Sequence, residues 1–206
     1  PAAIGGASHF LEHMVFKGTR KRDARAIAEE IESVGGHLNA HTSREYTAFY
    51  AKVLKEDAAL AIDVIADMLQ NATLDTGELD RERTVVIQEI LQSLDTPDDV
   101  IFDHFQETAF PDQPLGRPVL GSPEQIGSIG RDALIGYMRE HYGAPRMLVA
   151  AAGAIRHEEL IALAEAAFAG LPPAAPATRT AGAYAGGSWR EERDLEQVHL
   201  VLGFPS

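Results

Sequence analysis

The sequence predicts an α+β domain, and three observations predict it. Segments with apolar residues at helical spacing alternate with short runs rich in β-branched and aromatic residues, and no internal repeat recurs. At 206 residues and 45% hydrophobic composition, the chain is long enough for one domain with a sizeable core.

The elements follow in order. The first helix falls in "SHFLEHMVFKGT", residues 8–19, where Phe10, Leu11, Met14, Val15 and Phe16 read as buried. Residues 23–34 place Ala24, Ile27, Ala28, Ile31 and Val34 at helical spacing, and the helix stops at Gly35 and Gly36. Residues 37–54 read as two strands with a turn near 43–45. Two amphipathic helices follow over 56–69 and 75–94, split by a break at 71–73, and a third covers 98–110. The Pro- and Gly-dense stretch "PDQPLGRPVLGSP", residues 111–123, reads as an ordered surface loop. The rest reads as a helix over 131–142, a buried strand over 147–152, a helix over 157–168, a linker over 170–188 and a last strand over 198–204.

Charge and composition exclude several functions. With 18 basic against 31 acidic side chains the formal charge is −13, which repels phosphate backbones and anionic lipid and argues against nucleic-acid or membrane-surface binding. The chain has 0 cysteines, so disulfides and thiolate metal sites are out, and any metal ligand must be His, Asp or Glu. No apolar run approaches the roughly 18 residues that span a bilayer, and no secretory pattern opens the sequence.

The chemistry concentrates in the first helix. At about 100° per residue, His9, Glu12 and His13 share one arc while Phe10, Leu11 and Met14 point elsewhere. Two histidines at i and i+4 can bind one Zn²⁺, and a glutamate just before the second can reach a water there without filling a ligand position. This is the H-x-x-E-H arrangement of the inverzincins. The plain alternative, two surface histidines beside an incidental glutamate, is weakened by the apolar neighbours. Burying these groups without partners costs several kcal/mol, which a divalent cation offsets.

Catalytic zinc usually takes three protein ligands, so a third is expected elsewhere. Glu89 in "LDRERTVVIQEIL" is the best candidate: with Glu82, seven residues earlier, it lies at the edge of the apolar stripe Leu79, Val86, Ile90 and Leu94. Two solvated glutamates on a charged helix is the competing reading. His37 and His41 are rival ligands, but four residues along a strand separate them by roughly 13 Å, too far to chelate one ion. His104, His141, His157 and His199 are isolated in sequence.

The three blocks "HFLEHMVFKGT", "VGGHLNAHTSREYTAFYAKVL" and "ERTVVIQEI" resemble, in order and spacing, the N-terminal half of the pitrilysin (M16) family of zinc metallopeptidases. The similarity runs from Gly5 to the terminal "HLVLGFP" and is closest to bacterial members that resemble the β-subunit of mitochondrial processing peptidase. The resemblance implies an α+β fold, a mostly antiparallel sheet packed against several helices. It implies that His9, His13 and Glu89 bind one Zn²⁺, that Glu12 is the general base on zinc-bound water, and that Glu82 orients a ligand histidine. Gly36, Asn39, Ala40 and Thr42 match the edge strand on which the family lays an extended peptide.

By the same resemblance, residues 1–188 form a catalytic domain lacking its first strands, and 189–206 form a strand region leading toward a second homologous domain outside this sequence. The expected partners are a peptide substrate and a second M16 domain or subunit, with a dimer expected, and neither nucleic acid nor membrane. The compartment expected is the bacterial cytoplasm, with the mitochondrial matrix as the alternative. A non-catalytic scaffold or partner subunit is the alternative function; the intact His9, Glu12, His13 and Glu89 argue against it. A small binding module with fortuitous histidines is a further alternative, and it requires no metal.

Overall fold

A computed structural model describes residues 4–171 and 181–205. Helix α1 (Ala7–Val15) runs through the centre of the core. Its Ala7, Phe10, Leu11, Met14 and Val15 repeat at intervals of three, one, three and one, and all are buried, the last four with no exposed surface. This leaves Ser8, His9, Glu12 and His13 as the polar positions of the helix.

Helix α2 (Ala24–Glu32) starts where the Asp23 side chain accepts from the Ala26 N–H at 2.7 Å. It ends where Gly35, at φ 70°, reverses the chain and lets the Gly36 N–H reach the Ile31 carbonyl at 2.9 Å. The reversal delivers the chain into β1 (His37–Thr42), which pairs antiparallel with β2 (Thr47–Lys52) from His37 opposite Lys52 to Thr42 opposite Thr47. Leu38, Phe49 and Ala51 pack against the core, whereas His37 and His41 lie on the exposed side. Neither histidine belongs to the group of ligand atoms that converges at α1.

Helix α3 (Ala58–Asn71) packs on α2 and β2. Helix α4 (Thr76–Asp95) begins at Asp75, whose carboxylate accepts from the N–H groups of Gly77 and Glu78. Its buried positions are Leu79, Glu82, Val86 and Ile90, so a carboxylate occupies a place in an apolar stripe. Helix α4 lies along α1 and is held there by Arg83, which donates to the carbonyls of Ile126 and Ile129 and sits 5.5 Å over the Phe10 ring. Those carbonyls belong to α6 (Pro123–Ser128) and the residue after it.

The remaining helices are α5 (Pro97–Ala109), α7 (Arg131–His141) and α8 (His157–Phe168). Helix α7 also packs on α1, and α8 packs on α3.

The fold class is as the sequence predicts, helices around an antiparallel pair. Two expected strands differ. Residues 147–152 and 198–204 form no strand, and Leu148 is 91% exposed and Val198 96% exposed. Their β-branched, apolar composition suits a sheet, but a strand exists only with a hydrogen-bonding neighbour, and among the described residues the sheet consists of β1 and β2 alone. The expected linker over 170–188 falls partly outside the described residues, at 172–180.

Candidate metal centre

Three side chains from two helices turn their lone pairs toward one point. His9 Nε2 lies 3.3 Å from His13 Nε2, and Glu89 Oε2 lies 3.6 Å from the first and 3.4 Å from the second. An ion bound tetrahedrally at about 2.0–2.1 Å holds its ligand atoms roughly 3.3–3.4 Å apart, so these spacings fit one Zn²⁺. Among the described residues this is the group of His, Asp and Glu side chains whose ligand atoms converge in this way. Helical geometry supplies the two histidines, one turn apart on α1. The α1–α4 packing supplies Glu89.

The protonation states suit a cation. Burial lowers the His9 pKa from 6.5 to about 4, helped by the neighbouring His13, so His9 is neutral and offers a lone pair at pH 7. His13 is gripped from both sides: Nδ1 lies 3.2 Å from Glu82 Oε2 while Nε2 faces Glu89. A carboxylate can only accept, so Nδ1 is the donor to Glu82, and in the neutral ring the lone pair is then on Nε2. Glu82 is 7% exposed, and Lys17 reaches its other oxygen at 2.7 Å. The chain Lys17, Glu82, His13 therefore compensates a buried carboxylate and fixes a histidine tautomer together. Among the described residues no Lys or Arg pairs with Glu89, and its side chain is 41% exposed.

One feature is incomplete: His9 Nδ1 is buried with no hydrogen-bond partner. Apart from this, the donor set is one a zinc ion takes, two imidazoles plus a carboxylate.

Glu12 projects from the same stripe of α1 and accepts a hydrogen bond from the Thr42 hydroxyl. Gly36 lies just before β1, while Asn39, Ala40 and Thr42 lie on it. A Cβ on Gly36 would come 2.9 Å from the Ile31 carbonyl oxygen, so close packing alone demands glycine there. Asn39 Oδ1 accepts from the Ala40 N–H at 2.9 Å. Among the described residues β1 pairs only with β2, so its second edge is open.

Sequence reading missed Lys17, the Thr42 contact and the role of Arg83. Lys17 was accessible to it, being four residues after His13 and so on the same side of the chain as α1 ends. The other two depend on which helix and strand face each other.

Residues 1–123 match the family described as Insulinase (Peptidase family M16), and residues 128–206 match the Peptidase M16 inactive domain. The chain belongs to peptidase family M16. An uncharacterized zinc protease of Rickettsia bellii is 41% identical over 199 residues, covering 97% of this chain and 48% of that protein. A probable mitochondrial-processing peptidase subunit beta of Arabidopsis thaliana is 50% identical over 156 residues, 76% of this chain and 29% of that one. The crystal structure of pitrilysin superposes with a TM-score of 0.76 at 28% identity, covering 88% of this chain and 20% of that chain. The M16 chain thus spans about half the length of the curated relatives it matches first. His9, Glu12, His13, Glu82 and Glu89 all fall within the 1–123 match. Among the described residues no helix is long and apolar enough to cross a membrane.

Proposed function

We propose that this chain is the zinc-binding, catalytic half of an M16 metalloendopeptidase that cleaves extended peptides. The observation that carries the reading is the convergence of His9 Nε2, His13 Nε2 and Glu89 Oε2 at zinc-ligand spacing beside an acidic side chain on the same helix face.

His9, His13 and Glu89 would hold the zinc. When bound, the metal supplies Lewis acidity that makes an attacking water more acidic and polarises the scissile carbonyl. The remaining work falls to side chains of the chain itself. Glu82 accepts the His13 Nδ1 proton and so keeps the Nε2 lone pair directed at the site. Glu12 takes a proton from the attacking water on its carboxylate and passes it to the leaving amine. The open edge of β1, over Gly36, Asn39, Ala40 and Thr42, receives the peptide backbone as an added strand, with side-chain pockets setting selectivity.

A net charge of −13 favours extended basic peptides over acidic ones of equal length. The complete enzyme would close the site with a second M16 domain or a partner subunit, as a dimer, in the bacterial cytoplasm or the mitochondrial matrix. On that view, residues 1–188 form the catalytic domain, 170–188 a linker-like segment, and 189–206 lead toward the second domain. The 206-residue chain alone would bind zinc with little peptidase activity.

Glu12→Gln in the full-length protein tests the assignment. Zinc stoichiometry should stay at the wild-type level while kcat falls about 10²–10⁴-fold. Unchanged turnover, or zinc lost together with activity, contradicts the roles given to Glu12 and the metal.

A further inference from the structure

Glu12 carries the proton transfer in the reading above, and it lies on the half-exposed side of α1. What holds it is a strand. Thr42, the last residue of β1, donates its hydroxyl proton to Glu12 Oε2. The Thr42 and Thr47 hydroxyls are 3.2 Å apart across the last pair of the β1–β2 register. A hydroxyl has one proton, and that of Thr42 is committed to the carboxylate, so Thr47 must be the donor in this second bond. The result is a directional chain from β2 through β1 to α1, Thr47 to Thr42 to Glu12.

A phenol lies beyond it. The Tyr142 hydroxyl is buried near Thr47 and Glu12, and burial raises its pKa above the ordinary phenol value. Thr42 is the hydroxyl donor that the end of the hairpin presents to Glu12. Such an arrangement keeps one carboxylate oxygen occupied and leaves the other to meet a proton.

We propose that the Thr42 side chain is a positioning residue for Glu12, tying the general base to the strand whose backbone edge receives the peptide. The inference rests on the peptidase reading but adds to it: the backbone of Thr42 serves the substrate, while its hydroxyl serves the base. Docking a peptide on β1 then orders the same residue that aims Glu12.

The test uses the full-length protein with Thr42→Val, which keeps shape and removes the donor, and Thr42→Ser, which restores it. Thr42→Val should lower kcat about 10–100-fold, a part of what a general base contributes. Its KM should stay within about twofold, because a lost transition-state interaction lowers kcat without changing ground-state binding. Zinc stoichiometry should not change. Thr42→Ser should recover to within about threefold of wild type, a rescue that a purely structural methyl contact would not give. Thr47→Val, one bond further away, should lower kcat by a smaller factor. In a Glu12→Gln background, adding Thr42→Val should leave the affinity for an uncleaved peptide unaltered.

Wild-type kcat in Thr42→Val overturns the proposal, as does a rise in KM at constant kcat, which would make the side chain a substrate contact. A Thr42→Ser variant as impaired as Thr42→Val also overturns it. If the wild-type protein shows no zinc-dependent cleavage, the peptidase reading itself fails, and that outcome is separate from all of these.

Discussion

Within its first ninety residues the molecule gathers two clusters of polar and charged side chains, each around a buried member, Arg22 with Asp67 and Glu82, and they differ in what they still need. Around Arg22 the guanidinium reaches Glu30 at 2.9 Å, Asp63 at 2.6 Å and Asp67 at 3.0 Å. Asp67 also accepts from Thr19 at 2.7 Å and from Asn71 at 2.9 Å, and Asp63 accepts from Lys21 at 2.6 Å. Every carboxylate there already faces a donor. Around His13, by contrast, two imidazoles and a carboxylate bring their ligand atoms together, with Lys17 serving Glu82. The first cluster is closed and holds the 19–22 loop, α2 and α3 together. The second brings acceptors together at one point with no cation of the described residues between them, the arrangement that the zinc proposal rests on. Burial of polar groups does not mark function; convergence of unshared acceptors does.

Four measurements can break or sharpen this contrast. The largest effect is expected from His13→Ala, which should reduce bound zinc from one equivalent to none in the full-length protein. It should also abolish any zinc-dependent rise in Tm, since a ligand stabilises only a protein that binds it. Next, Arg22→Met should destabilise the fold by about 3–5 kcal/mol in denaturant titrations, because it takes the cation from the buried Asp67 carboxylate. Zinc stoichiometry in that variant should stay at one. If it fell in step with stability, the two clusters would be one unit, and the distinction would collapse.

Lys17→Met should raise the zinc dissociation constant about 10–100-fold in chelator competition, the usual cost of losing a residue that supports a ligand. Lys17→Arg should retain most of the affinity. An unchanged constant in Lys17→Met would mean that Glu82 orients His13 unaided.

The smallest effect concerns acid. Burial pushes the Asp67 carboxyl upward, but hydrogen bonds from Thr19, Asn71 and Arg22 outweigh it and leave the pKa below its ordinary value. A carboxylate depressed in the folded state contributes stability that is complete above the unfolded pKa of about 3.9 and is lost as pH falls through the folded value. Asp67→Asn should therefore flatten the loss of stability below about pH 4 in urea melts at stepped pH. A slope equal to that of the wild type would remove Asp67 from the acid response.

Much of α1 was legible in its letters. The i, i+4 spacing of His9 and His13 is a local property of any helix, and the apolar residues between them require that helix to be buried on its other side. Glu82 and Glu89 were legible as a pair of inward-leaning positions on one helix, for the same reason of period. The strands expected at 147–152 and 198–204 were misread because β-rich composition states a preference, whereas a strand needs a neighbour. The Arg22 cluster left no local signal, since its acids come from residues 8, 41 and 45 positions away in the chain.

By itself, then, the sequence determined the helix periods, their caps and the polar stripe on α1, all of which depend on residues within a turn or two of one another. Only the tertiary structure decided that Glu82 and Glu89 grip opposite nitrogens of one imidazole, that Lys17 serves Glu82, and that Thr42 reaches Glu12. Those contacts depend on how α4 and β1 cross α1. That crossing is set by packing of Phe10, Leu11, Met14, Leu79, Val86 and the Arg83 anchor, contacts between residues far apart in the chain that no local pattern encodes.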